Sequence, residues 1–185
     1  ELEARGLRFT RYADDCIILV GSSKAADRVM KNVSIFIESK LGLKVNMTKS
    51  KVSKPNDIKY LGFGFFMDKN DGLWKAKPHA KSVEKLKLKL KKLTSRRWSI
   101  SLDERLEKIK KTIVGWTNYY KIGYWKDVAR MVDAHVRFRL RMCIWKQWKT
   151  PQNRIKNLMK LGVDKDTAWI TAYTGSRIAY MCQRR

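Results

Sequence analysis

Residues 7–20 read Leu7-Arg8-Phe9-Thr10-Arg11-Tyr12-Ala13-Asp14-Asp15-Cys16-Ile17-Ile18-Leu19-Val20, two strand-length runs with a pair of carboxylates between them. From Leu7 to Tyr12 the side chains alternate as those of a half-buried strand do. Cys16 to Val20 is a continuous apolar run, rich in β-branched residues and closed by Gly21. Together they predict a hairpin that presents Asp14 and Asp15 at its tip. Adjacent carboxylates repel, and the nearest basic residue along the chain is Arg11. Hard oxygen donors at a rigid turn suit Mg²⁺ and two-metal phosphoryl transfer. The structural alternative is plain turn chemistry, because an Asp side chain readily hydrogen-bonds the backbone of its own turn.

The composition of the remaining chain narrows the choice. Among 185 residues, 42 Lys and Arg face 17 Asp and Glu, a net charge of +25. Solubility needs far less, so an extended polyanion is the expected partner. A hydrophobic content of 44% belongs to a folded chain, not to a basic disordered tail. The charge is concentrated: residues 76–149 hold 21 basic and 6 acidic side chains, which makes this stretch the expected polyanion surface. Cys16, Cys143 and Cys182 are odd in number and widely spaced, which disfavours a disulfide framework or a zinc site. No apolar run approaches the roughly 20 residues of a membrane span, and no signal peptide opens the chain. A cytoplasmic nucleic-acid-binding protein is expected.

Read in order, residues 1–76 predict β-β-α-β-β. Ser22 or Ser23 caps a helix that runs to about Leu41 and stops at Gly42. Leu43 to Asn46 reads as a short strand, followed by a basic loop through Lys49, Lys51 and Lys54. Ile58 to Met67 reads as another strand, in which Gly62 and Gly64 suggest a bulge or a close backbone approach. Asp68 to Gly72 is a turn, and the returning strand begins at Leu73. From Lys77 the period becomes helical. Val83, Leu86, Leu90 and Leu93 form one face of a Lys-rich helix, for which a solvated amphipathic surface is the bland reading. Ser101 and Glu104 form a capping box before a helix with Leu102, Leu106, Ile109, Ile113, Trp116 and Tyr120 on one face. A third helix, from about Asp127, carries Val128, Met131, His135, Phe138, Met142 and Trp145, with His135 expected as a core histidine. Thr150-Pro151 opens a fourth helix stopped by Gly162, and Asp164 caps a fifth.

These blocks, in this order, resemble the C-terminal part of the reverse transcriptase, or maturase, encoded by group II introns. Tyr12-Ala13-Asp14-Asp15 is similar to the catalytic YADD box on the palm hairpin. Leu41-Gly42-Leu43 with Asn46 and Lys49-Ser50 resembles the block beside the incoming nucleotide. Lys59-Tyr60-Leu61-Gly62-Phe63 resembles the last palm block, which supports the primer end. Gly115-Trp116-Thr117-Asn118-Tyr119-Tyr120 is similar to the GWxNYY signature of the maturase thumb, and Arg137 through Lys149 to the thumb helix after it.

The resemblance implies an α+β fold: a partial reverse-transcriptase palm over 1–76, with a β-hairpin, a helix and further strands, then an all-α helical thumb over 77–185. It implies an RNA-directed DNA polymerase that reverse-transcribes intron RNA and binds that RNA to assist splicing. Asp14 and Asp15 would be catalytic and hold Mg²⁺ in a two-metal site, and Lys49 would act near the departing pyrophosphate. Tyr12, Ala13, Asn46 and Gly62 would support the active site. Lys85, Lys89, Lys92, Arg96, Arg97, Asn118, Tyr119, Arg130, Arg137, Arg141, Lys146 and Lys149 would contact nucleic acid. Group II intron RNA, an RNA–DNA hybrid duplex and dNTP are the implied partners, with no membrane; a homodimer is compatible with the sequence.

In one respect the chain departs from that pattern. The palm's first metal-binding Asp comes from a strand upstream of the YADD hairpin, and Asp27, Asp57 and Asp68 are not placed to replace it. A fragment of a larger protein is therefore expected, with the metal site incomplete and no polymerisation by 1–185 alone. The alternative reading is a catalytically silent RNA-binding maturase module, a splicing cofactor. Intact Asp14, Asp15 and Lys49 favour the polymerase.

Overall fold

The computed structural model describes residues 1–173; Cys182 lies outside the described residues. The expected α+β composition is present: the described residues form two two-stranded antiparallel sheets and six α-helices. By packing, the chain divides into two compact units, with the boundary between Phe65 and Phe66.

In the N-terminal unit, β1 (Arg8–Tyr12) and β2 (Asp15–Leu19) pair from Arg8 opposite Leu19 to Tyr12 opposite Asp15. The Ala13–Asp14 connection is thus two residues long, the length that gives the tightest hairpins. Ala13 takes φ +51°, in the left-handed region that such loops require and that an alanine enters at a cost. Helix α1 (Ser23–Leu41) begins where expected: the Ser22 hydroxyl accepts from the Ala25 N–H at 3.2 Å. It ends at Gly42 with φ +63°.

Two strand expectations fail here for local reasons. Leu43 to Asn46 forms no strand. The Leu43 N–H donates back to the Ile37 carbonyl at 3.3 Å, and Asn46 Oδ1 accepts from Thr48 N–H and Lys49 N–H at 3.1 and 3.2 Å. A helix cap and an Asx turn consume the groups a ladder would need. The strand expected from Ile58 starts only at Phe63, as β3 (Phe63–Met67). Before it, Tyr60 and Phe63 exchange hydrogen bonds of 2.9 and 2.8 Å around Leu61 (φ +47°) and Gly62 (φ +82°), the positive pair of a type I′ turn. Gly62 therefore serves a tight turn instead of a bulge.

Strand β3 pairs with β4 (Trp74–Pro78), which extends past Lys77, so helix begins later than the charge pattern suggests. In the C-terminal unit follow α2 (Ala80–Leu93), α3 (Leu102–Tyr120), α4 (Lys126–Gln147), α5 (Pro151–Lys160) and α6 (Lys165–Tyr173). Leu86, Leu90, Ile109, Val132 and Val136 form the buried centre of α2, α3 and α4, with Leu93, Ile113, Trp116, Val128 and Leu140 around it. The expected α3 face holds through Ile109, Ile113, Trp116 and Tyr120 with one exception, and the α4 face is rotated by about one residue. On α3 it is Arg105 that is buried, while Leu106 is exposed. On α4 the buried residues are Val132, Val136 and Cys143, while Met131 is exposed.

Caps explain the helix starts. Ser101 Oγ accepts from Glu104 N–H at 3.1 Å, Thr150 Oγ1 from Asn153 N–H at 3.3 Å and Asp164 Oδ1 from Thr167 N–H at 2.8 Å. The Ser101 box is half-formed, because the Glu104 carboxylate pairs with Lys108. No helix among the described residues is long and apolar enough to cross a membrane.

Candidate functional site

At the hairpin tip, Tyr12, Ala13, Asp14 and Asp15 are all exposed. The Arg11 guanidinium turns to the Ala13 carbonyl, its Nε donating at 2.9 Å, and leaves the carboxylates alone. Among the described residues neither Asp14 nor Asp15 has an ion pair or a side-chain hydrogen bond. Two carboxylates on adjacent residues are therefore exposed and unpartnered. They supply hard oxygen donors of the kind Mg²⁺ takes, but only part of its octahedral set. No cluster of three or more His, Cys, Asp or Glu able to hold a metal occurs among the described residues. Asp68, by contrast, is engaged: Lys75 Nζ lies 2.5 Å from it and 2.6 Å from Asp71, and these bonds hold both carboxyls below their ordinary range.

Asn46, assigned to active-site support, is the hub of the 46–49 turn, and its Oδ1 also accepts from Thr48 Oγ1 at 2.6 Å. Lys49 is carried by that turn with its side chain exposed. The turn is held by its own hydrogen bonds and has none to the acidic hairpin.

The residues expected to contact nucleic acid are all on the surface of the C-terminal unit: Lys85, Lys89 and Lys92 on α2, Arg96 and Arg97 on the α2–α3 connection, Asn118 and Tyr119 on α3, Arg130, Arg137, Arg141 and Lys146 on α4, and Lys149 after it. They are not one patch. Arg137 is held by Asp133 at 2.9 Å, and Arg130 lies 3.6 Å from Asp127. Arg96, Arg97 and Lys146, however, do come together. With Ser95 and Arg139 they line an open cleft of about 420 Å³ between the α2–α3 connection and α4. Sequence reading missed Arg139, which lines the cleft, and Arg105, which holds the connection beside it. Arg139 Nε donates to Thr94 Oγ1 at 3.1 Å and its Nη2 to the Lys91 and Thr94 carbonyls. Arg105 donates to the Leu93, Ser95 and Trp98 carbonyls at 2.6, 3.1 and 2.7 Å.

Two family models match this chain, one ending within β3 and the other beginning within α2. Residues 1–65 match the reverse transcriptase (RNA-dependent DNA polymerase) model, and residues 83–162 match the group II intron, maturase-specific domain. The chain belongs to the reverse transcriptase/maturase family of group II introns. Comparison with curated proteins finds no match. The acidic hairpin thus falls within the reverse-transcriptase part of this family member, and the basic cleft within its maturase-specific part.

Proposed function

We propose that this reverse transcriptase/maturase takes part in copying group II intron RNA into DNA and binds the same RNA to assist its splicing. The observation that carries the polymerase role is the pair of exposed, unpartnered carboxylates at the two-residue tip of the β1–β2 hairpin. Like charges held together in this way are relieved by a divalent cation. Mg²⁺ bound there would stabilise charge developing on the reacting phosphoryl group. Asp14 and Asp15 hold the ion, Tyr12 and Ala13 shape the turn that aims them, and Gly62 sets the type I′ turn that leads into β3. Lys49 serves as a cation for the leaving phosphate. Asp14 and Asp15 would supply part of the oxygen set that a two-metal centre needs. Residues 77–185 act as the thumb and those before them as the palm half, in the cytoplasm, with an RNA–DNA hybrid held by phosphate contacts that position without reading bases.

Manganese, a paramagnetic stand-in for Mg²⁺, tests the acidic site. Titrated into labelled 1–185, it is expected to broaden the amide signals of residues 12–16 first, and Asp14→Asn should abolish that selectivity. Broadening spread evenly over all acidic residues, or unchanged in the variant, would reduce the pair to turn chemistry. The alternative, a splicing cofactor without polymerase chemistry, would leave no reason for the carboxylates to stay unpartnered.

A further inference from the structure

The cleft beside the α2–α3 connection is out of charge balance. Arg139 and Arg105 meet backbone carbonyls, and Lys146 Nζ donates to the Arg96 carbonyl at 2.9 Å. Among the described residues no carboxylate forms an ion pair with Arg96, Arg97, Arg105, Arg139 or Lys146. The two arginines at the rim, Arg96 and Arg97, are exposed and have no hydrogen-bond acceptor for their guanidinium groups among the described residues. Carbonyl dipoles answer only part of a full positive charge, so four cations, Arg96, Arg97, Arg139 and Lys146, around one small opening leave a strongly positive field there. The loop is also rigidly held. Arg105, 2% exposed, gathers three of its carbonyls inward, which leaves the Arg96 and Arg97 side chains facing out.

We propose that this cleft is a built phosphate site, in which Arg96 and Arg97 grip consecutive phosphodiester groups of an RNA strand with Arg139 and Lys146 behind them. The guanidinium fork matches the tetrahedral oxygens of a phosphate and binds them in pairs. Two adjacent guanidiniums suit a repeating anion better than a lone one, and the +15 charge of residues 76–149 draws a polyanion to this surface. The inference rests on the reading of the chain as an RNA binder and gives that binding an address. The same chemistry would also accept a free triphosphate, so the test carries both ligands.

Binding of duplex RNA and of inorganic tripolyphosphate to 1–185 is measured across a salt series. The Arg96→Gln/Arg97→Gln variant is compared with Lys110→Gln/Lys111→Gln, which removes the same charge from exposed positions on α3. An RNA affinity at least about tenfold weaker in the arginine variant, with the slope of log K on log salt reduced by about two, supports the site. The lysine variant should change far less. Equal losses in both variants would overturn the site and leave diffuse RNA binding intact. Loss of tripolyphosphate binding with RNA binding unchanged would overturn it in favour of a small-anion pocket. Failure of the unmodified chain to bind RNA would overturn the site and the RNA-binding reading together. Both substitutions are on exposed side chains, and matching thermal melts check that each variant is folded.

Discussion

His135 sits half-buried on α4, and its Nε2 is buried with no hydrogen-bond partner among the described residues. Burial, and after it the charges of Arg139, Lys87 and Lys91, hold its imidazole below the ordinary 6.5. The folded chain therefore keeps it neutral, while the unfolded chain takes up a proton once the pH drops below that value. The unfolded state then binds more protons, so stability is present above pH 6.5 and declines as the pH falls toward the lowered folded value. Denaturant midpoints compared at about pH 7.5 and 5.5 should fall with pH, and His135→Gln should flatten the difference. An identical decline in the variant would assign the effect to other groups. The sequence marked His135 as a core residue from its apolar neighbours, and that much is legible from period alone. The three cations around it come from α2 and from the next turn of α4. Tertiary placement decides them, and no local pattern carries that.

At the level of elements, helix starts were more legible than helix faces. Ser22, Ser101, Thr150 and Asp164 each cap the helix they were expected to cap, because a cap is a contact over three residues. The face of α4 lies about one residue away from the apolar count, and that of α3 departs from it at one position. On α3 the reason is Arg105, which fills a position that hydropathy would give to Leu106. It turns inward to the carbonyls of Leu93 at the end of α2 and of Ser95 and Trp98 on the connection, and those acceptors lie 7 to 12 residues earlier in the chain. A polar residue in a core position is unreadable until its partners are placed. Lysine in the same position has one nitrogen and no planar fork, so it cannot reach all three carbonyls. Arg105→Lys should destabilise the helical unit by about 2 kcal/mol, read from chemical denaturation, since buried acceptors are left unmade. A cost near zero would mean that the clamp is decorative. The strand at Leu43 to Asn46 failed for the opposite reason: its backbone groups find partners close by, and a local Asx turn outcompetes a ladder.

For the whole molecule, charge and ordered blocks carried the reading, and both are properties of sequence. The family match over 1–65 and 83–162 agrees with the blocks around Asp14, Gly62 and Trp116. Absent from the sequence was the gathering of Arg96, Arg97, Arg139 and Lys146, which are separated by some forty residues of chain and joined only by packing. In the N-terminal unit, α1 has no buried residue, and Phe63 and Gly64 are the unit's only buried positions. The most direct measurement is equilibrium binding of 1–185 to a structured group II intron RNA and to a length-matched scrambled RNA, each at low and high salt. Phosphate-driven affinity falls steeply with salt, so only recognition of the folded RNA persists. A preference for the intron RNA that survives high salt is the expected result. Equal affinity for both RNAs, vanishing together as salt rises, would contradict the claim that this chain recognises its intron.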